Sequence, residues 1–141
     1  MKGKNRKRKS GWAHTKRYPH GGHPANYKRN GDDLVEYITF THSPEVELYK
    51  DRKVQTVPLK DNISVSEREE NRRRGLKAGE NRSYAYPKVF VGKRSALGKE
   101  VDGFNPTVFD KLRIEKMFKY FDREQVSETG GMQKYKKKKM T

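Results

Sequence analysis

The chain contains no cysteine. A disulfide framework, a thiolate metal site and a cysteine nucleophile are therefore excluded, and the absence fits a reducing, cytoplasmic setting. No run of eighteen apolar residues occurs, so no segment is built to span a membrane. The basic N-terminus is not followed by the apolar stretch that a secretory signal requires. Large hydrophobic residues are scarce: 30% of the 141 residues are apolar and 37% are charged. A core drawn from so few is thin. A homodimer, a larger nucleoprotein assembly or a bound polyanion would support it. Histidine is also sparse, with four residues, and nothing in the sequence asks for a cofactor.

Positive charge is what the chain has in excess. Lys and Arg number 34 against 18 Asp and Glu, a formal net charge of +16. Residues 1–18 hold eight basic side chains (Lys2, Lys4, Arg6, Lys7, Arg8, Lys9, Lys16, Arg17) and no acid. Residues 129–141 hold five (Lys134, Lys136, Lys137, Lys138, Lys139), again without an acid. Thirteen of the sixteen net charges thus lie near the two ends, and residues 19–128 are close to neutral. The organisation expected is a basic arm over 1–18, a small domain over 19–128 and a Lys-rich tail over 129–141. Like charges with little to bury do not fold alone. Against a polyanion each neutralised phosphate releases a counterion, so nucleic acid, DNA or RNA, is the partner this pattern suits. Trp12, Tyr18 and Tyr135 lie among the charges, where a ring can stack on a base.

The middle of the chain reads as mainly β, with one C-terminal helix. Asn30-Gly31 marks a hairpin between Ala25–Arg29 and Asp33–His42. The second run is rich in β-branched and aromatic residues, with Leu34, Ile38 and Phe40 on one face and Glu36 interrupting it. Lys53–Leu59 and Ser83–Val91 read as further strands, each placed at an edge or bulge by Pro58 or Pro87. The charged insertion 61–82 is a short solvated helix or a mobile loop, with Glu69/Arg73 and Glu70/Arg74 as i,i+4 pairs. Near 107–121, Asn105-Pro106 or Thr107 can cap a helix whose Ile114, Met117, Phe118 and Phe121 form one stripe, while Val108, Phe109 and Leu112 fall elsewhere. The fold class expected is a small SH3-like barrel or half-barrel (α+β) with a single helix as its plug.

Two places offer chemistry. Thr41-His42-Ser43 ends a strand, and a loop holding His20 and His23 can lie across from it. Cleavage of RNA needs a base for the 2′-hydroxyl proton, an acid for the leaving oxygen and a cation for the phosphorane. His23 and His42, supported by Thr41 and a nearby Lys or Arg, would provide these. A metal site is not indicated, because His20 and His23 are too tightly spaced and no acid separates them. The second place is the glycine-bracketed loop 91–99, where Lys93, Arg94 and Lys99 can meet a phosphate.

The order Gly22-His23-Pro24-Ala25, Ile38-Thr39-Phe40-Thr41-His42-Ser43, Val57-Pro58-Leu59, Ser83-Tyr84 and Leu97-Gly98-Lys99 resembles the PemK/MazF-like toxin barrels over residues 22–121. That resemblance implies an SH3-like barrel, usually dimeric, that cleaves single-stranded RNA without a metal. It implies a functional threonine at the strand end, matched by Thr41. His23 stands where the family carries a loop arginine. Three functions follow: a non-enzymatic nucleic-acid-binding protein with cationic arms, a metal-independent endoribonuclease, or a structural component of a nucleoprotein particle such as a ribosome or virion.

Overall fold

The computed structural model describes residues 8–48 and 52–126. Its central element is the eight-residue strand β3 (Leu34–Thr41). The sequence Leu-Val-Glu-Tyr-Ile-Thr-Phe-Thr places Ile38 and Phe40 on one face and Val35, Tyr37 and Thr39 on the other. Both sets are buried. The expected face Leu34–Ile38–Phe40 holds only in its second half, since Leu34 is exposed. The odd-numbered face is a second core.

β2 (Pro24–Arg29) pairs antiparallel with β3, from Ala25 opposite Thr39 to Arg29 opposite Val35. Their hairpin closes at Asn30, whose N–H donates to the Leu34 carbonyl at 2.9 Å. Gly31 takes a φ of +105° there, a conformation a side chain would resist. β1 (Ser10–Thr15) pairs with β2 and, on its other side, with β9 (Leu97–Glu100). β8 (Val89–Lys93) flanks β3 opposite β2, and β10 (Arg123–Gln125) runs parallel to β8. The order is β10-β8-β3-β2-β1-β9. Its two outer strands do not pair, so the sheet is open: the mainly β, α+β class expected is found, and of the barrel or half-barrel expected the closed form is not built.

Short strands complete the frame. Pro58 confines β6 (Val57–Pro58) to two residues, as expected of a strand end. It pairs with β7 (Tyr84–Ala85), which also pairs with the end of β3. Pro87 divides the expected Ser83–Val91 strand into β7 and β8. β4 (Glu45–Leu48) and β5 (Arg52–Gln55) form a separate two-stranded sheet whose Val46 and Val54 pack on the main core.

Two helices are present among the described residues. α1 (Val65–Arg73) lies in the charged insertion and is capped by Ser64, whose hydroxyl accepts from Glu67 N–H. Its close ion pair is Glu70–Arg73 at i,i+3, while the charges of the expected i,i+4 pairs, Glu69 with Arg73 and Glu70 with Arg74, attract one another at longer range. α2 (Val108–Tyr120) is capped by Thr107 as expected. Its Ile114, Met117 and Phe118 pack with Ile38, Phe40, Leu59, Ile63, Ala85 and Val89 on one face of the sheet. The opposite face carries Ala13, Tyr18, Ala25, Tyr27, Val35, Tyr37, Tyr86, Phe90, Leu97 and Val126.

The basic stretch 1–18 is therefore not an arm throughout. Its second half is β1 in the body of the sheet, with Ala13 and Tyr18 in the core. Alternation in Ser-Gly-Trp-Ala-His-Thr buries Ala13 and Thr15 and turns His14 and Lys16 outward. No helix among the described residues is long and apolar enough to cross a membrane.

Candidate functional site: a cleft that gathers the histidines

A short turn places two of the four histidines. Thr15, at the end of β1, is almost fully buried. Its N–H donates to the His23 carbonyl at 2.9 Å and its carbonyl accepts from Gly22 N–H at 2.8 Å. Its hydroxyl donates to the His20 carbonyl at 2.5 Å and accepts from His23 N–H at 3.1 Å. The turn is tight enough to need both glycines. Gly22 has a φ of +80°, and a Cβ on Gly21 would stand 2.7 Å from the Lys16 carbonyl oxygen. His20 and His23 leave this turn on one side, their ring centroids 5.8 Å apart.

β3 delivers the third. His42 follows Thr41, and its Nε2 lies 3.3 Å from Glu67 Oε1 in the first turn of α1. Glu67 is itself steered by Asn62, whose Nδ2 donates to the same carboxylate oxygen at 2.8 Å and to the Asn81 carbonyl at 2.9 Å. The other end of Asn62 accepts from Ser64 N–H at 2.9 Å. Asn62 is 1% exposed, so its hydrogen bonds are made away from solvent and fix its orientation. The fourth histidine, His14, projects from β1 beside Phe104, ring centroids 6.0 Å apart.

These pieces enclose a cleft of about 350 Å³ whose lining includes His14, His23, Thr41, His42, Asn62 and Glu67. Phe40, Ile63 and Phe104 provide apolar wall, and Ser64 and Ser83 add hydroxyls. The His23 imidazole is held below the ordinary histidine range, first by burial and then by the charges of His20, His42 and His14; a hydrogen bond to Phe40 opposes this. That bond joins His23 Nδ1 to the Phe40 carbonyl at 3.2 Å. A carbonyl only accepts, so Nδ1 carries the proton and Nε2 of the neutral ring keeps a lone pair. By the same reasoning His42 Nε2 donates to Glu67 and leaves Nδ1 for a ligand. His20 is committed elsewhere, its Nε2 donating to the Glu47 carbonyl at 3.1 Å.

The three residues singled out for catalysis, His23, Thr41 and His42, thus meet in one cleft. The expected neighbouring Lys or Arg does not: none lines it. Donors at hand are the Thr41 and Ser64 hydroxyls and His14. His14, Asn62 and Glu67 were not legible as site residues. One signal for Glu67 was available, since Ser64-x-x-Glu67 reads as a capping box. The serine makes its half of the box, but the Glu67 carboxylate is spent on His42 and Asn62.

The residues expected to bind nucleic acid separate into groups. Lys4, Arg6, Lys7 and Lys136, Lys137, Lys138 and Lys139 lie outside the described residues, as does Tyr135. Arg8, Lys9, Lys16, Arg17 and Lys99 are exposed, and Lys93 is half-buried at the end of β8. Arg8 stands 3.7 Å from Glu100, and Lys16 and Arg17 sit in the turn that leads to His20. Of the two rings expected to stack on bases, Tyr18 is corrected: it is buried against Phe90 with its hydroxyl on Glu124 at 2.6 Å. Trp12 is half-buried against Phe40 and Phe104, with ring centroids 5.6 and 5.2 Å apart. In the loop 91–99 Arg94 is half-buried. That guanidinium lies 4.7 Å from the Tyr27 ring centroid and donates to the Leu97 and Gly98 carbonyls, bracing the turn between β8 and β9.

Among the described residues no three His, Cys, Asp or Glu side chains converge as a metal-ligand set. Compared with known protein families, with curated proteins and with solved structures, the chain finds no match in any of the three.

Proposed function

We propose that the protein is an endoribonuclease that needs no metal and cuts single-stranded RNA in the histidine cleft, with its basic ends holding the strand. The observation that carries this reading is the convergence of His23 and His42, from different parts of the chain, with different partners, on one cavity. One imidazole is kept neutral by burial with Nε2 as an acceptor, which suits a general base. The other has its Nε2 held by a carboxylate, which leaves Nδ1 as the atom to pass a proton to a leaving group.

In the proposed step His23 Nε2 takes the proton of a ribose 2′-hydroxyl as its oxygen bonds to the adjacent phosphorus. His42 Nδ1 gives a proton to the departing 5′-oxygen as the phosphorus–oxygen bond breaks. The products are a 2′,3′-cyclic phosphate and a 5′-hydroxyl, and proton exchange with water restores both rings. The Thr41 and Ser64 hydroxyls supply hydrogen-bond donors for the phosphorane oxygens. The resemblance to PemK/MazF-like toxin barrels, with its SH3-like architecture, runs in the same direction. The test is incubation of single-stranded RNA with the protein in EDTA, with product ends read by mass spectrometry. A cyclic phosphate is expected, and a substrate lacking the 2′-hydroxyl at the cut site should survive intact.

The uneven charge supports a second reading, a binding protein that holds nucleic acid without cutting it, alone or in a larger particle. In that case RNA is recovered whole, and replacing His42 leaves its affinity unchanged.

A further inference from the structure

α2 has two apolar faces, and only one of them is used. Ile114, Met117 and Phe118 face the sheet. Of the five large hydrophobic side chains exposed among the described residues, four are on this helix: Val108, Phe109, Leu112 and Tyr120. At 100° per residue these four lie within one arc, on the side of the helix turned away from the buried stripe. Leu112 is 62% exposed, and Val108 and Tyr120 are each 75% exposed. The arc borders a groove of about 570 Å³ that is also lined by Val57, Met117 and Phe121.

The charges around this arc are predominantly positive. Lys116 lies in the middle of the arc, with Lys119 and Arg113 to either side on the helix, and Arg113 and Lys116 line the groove. Lys60 Nζ lies 5.0 Å from the Phe109 ring centroid, and the Arg113 guanidinium 5.9 Å from the same ring. The single acid of the groove, Glu115, is taken up by Lys28 at 2.5 Å. An apolar strip set in uncompensated cations matches a helix with leucines on one side and carboxylates beside them.

We infer that this face of α2 is the docking site for an acidic amphipathic helix of a partner protein. Charge decides between the candidates. A second copy would bring the same cations against themselves across a two-fold axis, a juxtaposition that opposes association. The Lys-rich end of this chain, Lys134 to Lys139, has the wrong sign as well. RNA would find two rings, Phe109 and Tyr120, but Val108, Leu112 and Met117 offer it nothing to stack on. The inference is independent of the chemistry in the histidine cleft, because none of these side chains lines that cavity.

The test uses the full chain and a panel of labelled helical peptides carrying Leu or Phe at i, i+3 or i+4, and i+7, with Glu at the flanking positions. Fluorescence anisotropy should show binding that weakens at least tenfold when Lys replaces Glu in the peptide. It should weaken at least tenfold again in Leu112→Asp and in Lys116→Glu proteins whose thermal unfolding matches the parent. The inference is overturned if no peptide outperforms its scrambled sequence, or if both variants bind as the parent does. It is equally overturned if sedimentation shows a dimer that Leu112→Asp dissociates, or if photo-crosslinking places RNA on Tyr120.

Discussion

His42 Nε2 stands 3.3 Å from Glu67 Oε1, a contact between the end of the central strand and the first turn of a helix twenty-five residues further along the chain. Glu67 occupies the position from which a capping glutamate ordinarily turns back to its own helix, and it faces outward instead. The carboxylate orients the imidazole. Asn62, buried beneath, holds the carboxylate in turn.

Replacing Glu67 by Gln keeps the size of the side chain and leaves the Ser64 cap in place. Its effect should therefore fall on the rate. Single-turnover cleavage of a saturating RNA is expected to slow by about ten- to a hundredfold, below the full value of a general acid, because the imidazole itself remains. RNA affinity, read by filter binding, should change less than threefold.

His23 links the cleft to stability. Its folded-state affinity for protons is depressed, chiefly by burial, while the unfolded chain titrates near 6.5. Below that pH the unfolded state binds more protons than the folded one, so stability is full above about 6.5 and declines as pH falls. The midpoint of urea unfolding should drop between pH 7.5 and 5.5. His23→Gln should remove part of that drop, and an identical drop in the variant would contradict the burial of a neutral ring.

The two cores make a comparison possible on a single strand. Phe40 and Tyr37 are both essentially buried, one on each face of β3. Each should cost about 3–5 kcal/mol on truncation to Ala. Leu112→Asp, on the uncovered side of α2, should stay within about 0.5 kcal/mol. Chemical denaturation of the three variants checks this, and a tolerant Tyr37 would argue against the second core.

Deleting residues 1–7 and 132–141 removes nine cations. Affinity for single-stranded RNA should fall, and the slope of log K against log salt should become shallower by about 0.7 for each phosphate no longer neutralised. Filter binding at four salt concentrations measures it, with unchanged slopes as the contrary result.

Much of the fold is written in local sequence. Asn30-Gly31 locates the hairpin, Thr107 locates the start of α2, and the spacing of Ile114, Met117 and Phe118 marks its buried side. Those signals are contained within a few residues. The second core is hidden because Tyr27, Phe90 and Tyr86 reach it only after the strands have paired. Trp12 and Tyr18 read as exposed rings because basic neighbours surround them in sequence, whereas Phe40 and Phe104 half-cover the Trp12 face of β1 and the turn after the strand carries Tyr18 inward. His23, Thr41 and His42 are legible since each sits at a strand end or in a Gly/Pro turn, where side chains are free for chemistry. His14 and Glu67 are not. One lies in a strand and the other in a charged helix, and only the pairing of β1 with β2 and the docking of α1 bring them to the cleft.

The most direct test is the pH dependence of single-turnover RNA cleavage in EDTA for the parent, His23→Gln, His42→Gln and the double variant. Expected is a bell-shaped profile for the parent, loss of the acidic limb without His23, loss of the alkaline limb without His42, and cleavage reduced at least a thousandfold in the double variant. A double variant that still cuts at the parental rate, or a parent whose profile neither substitution alters, would show that these imidazoles do not transfer the protons.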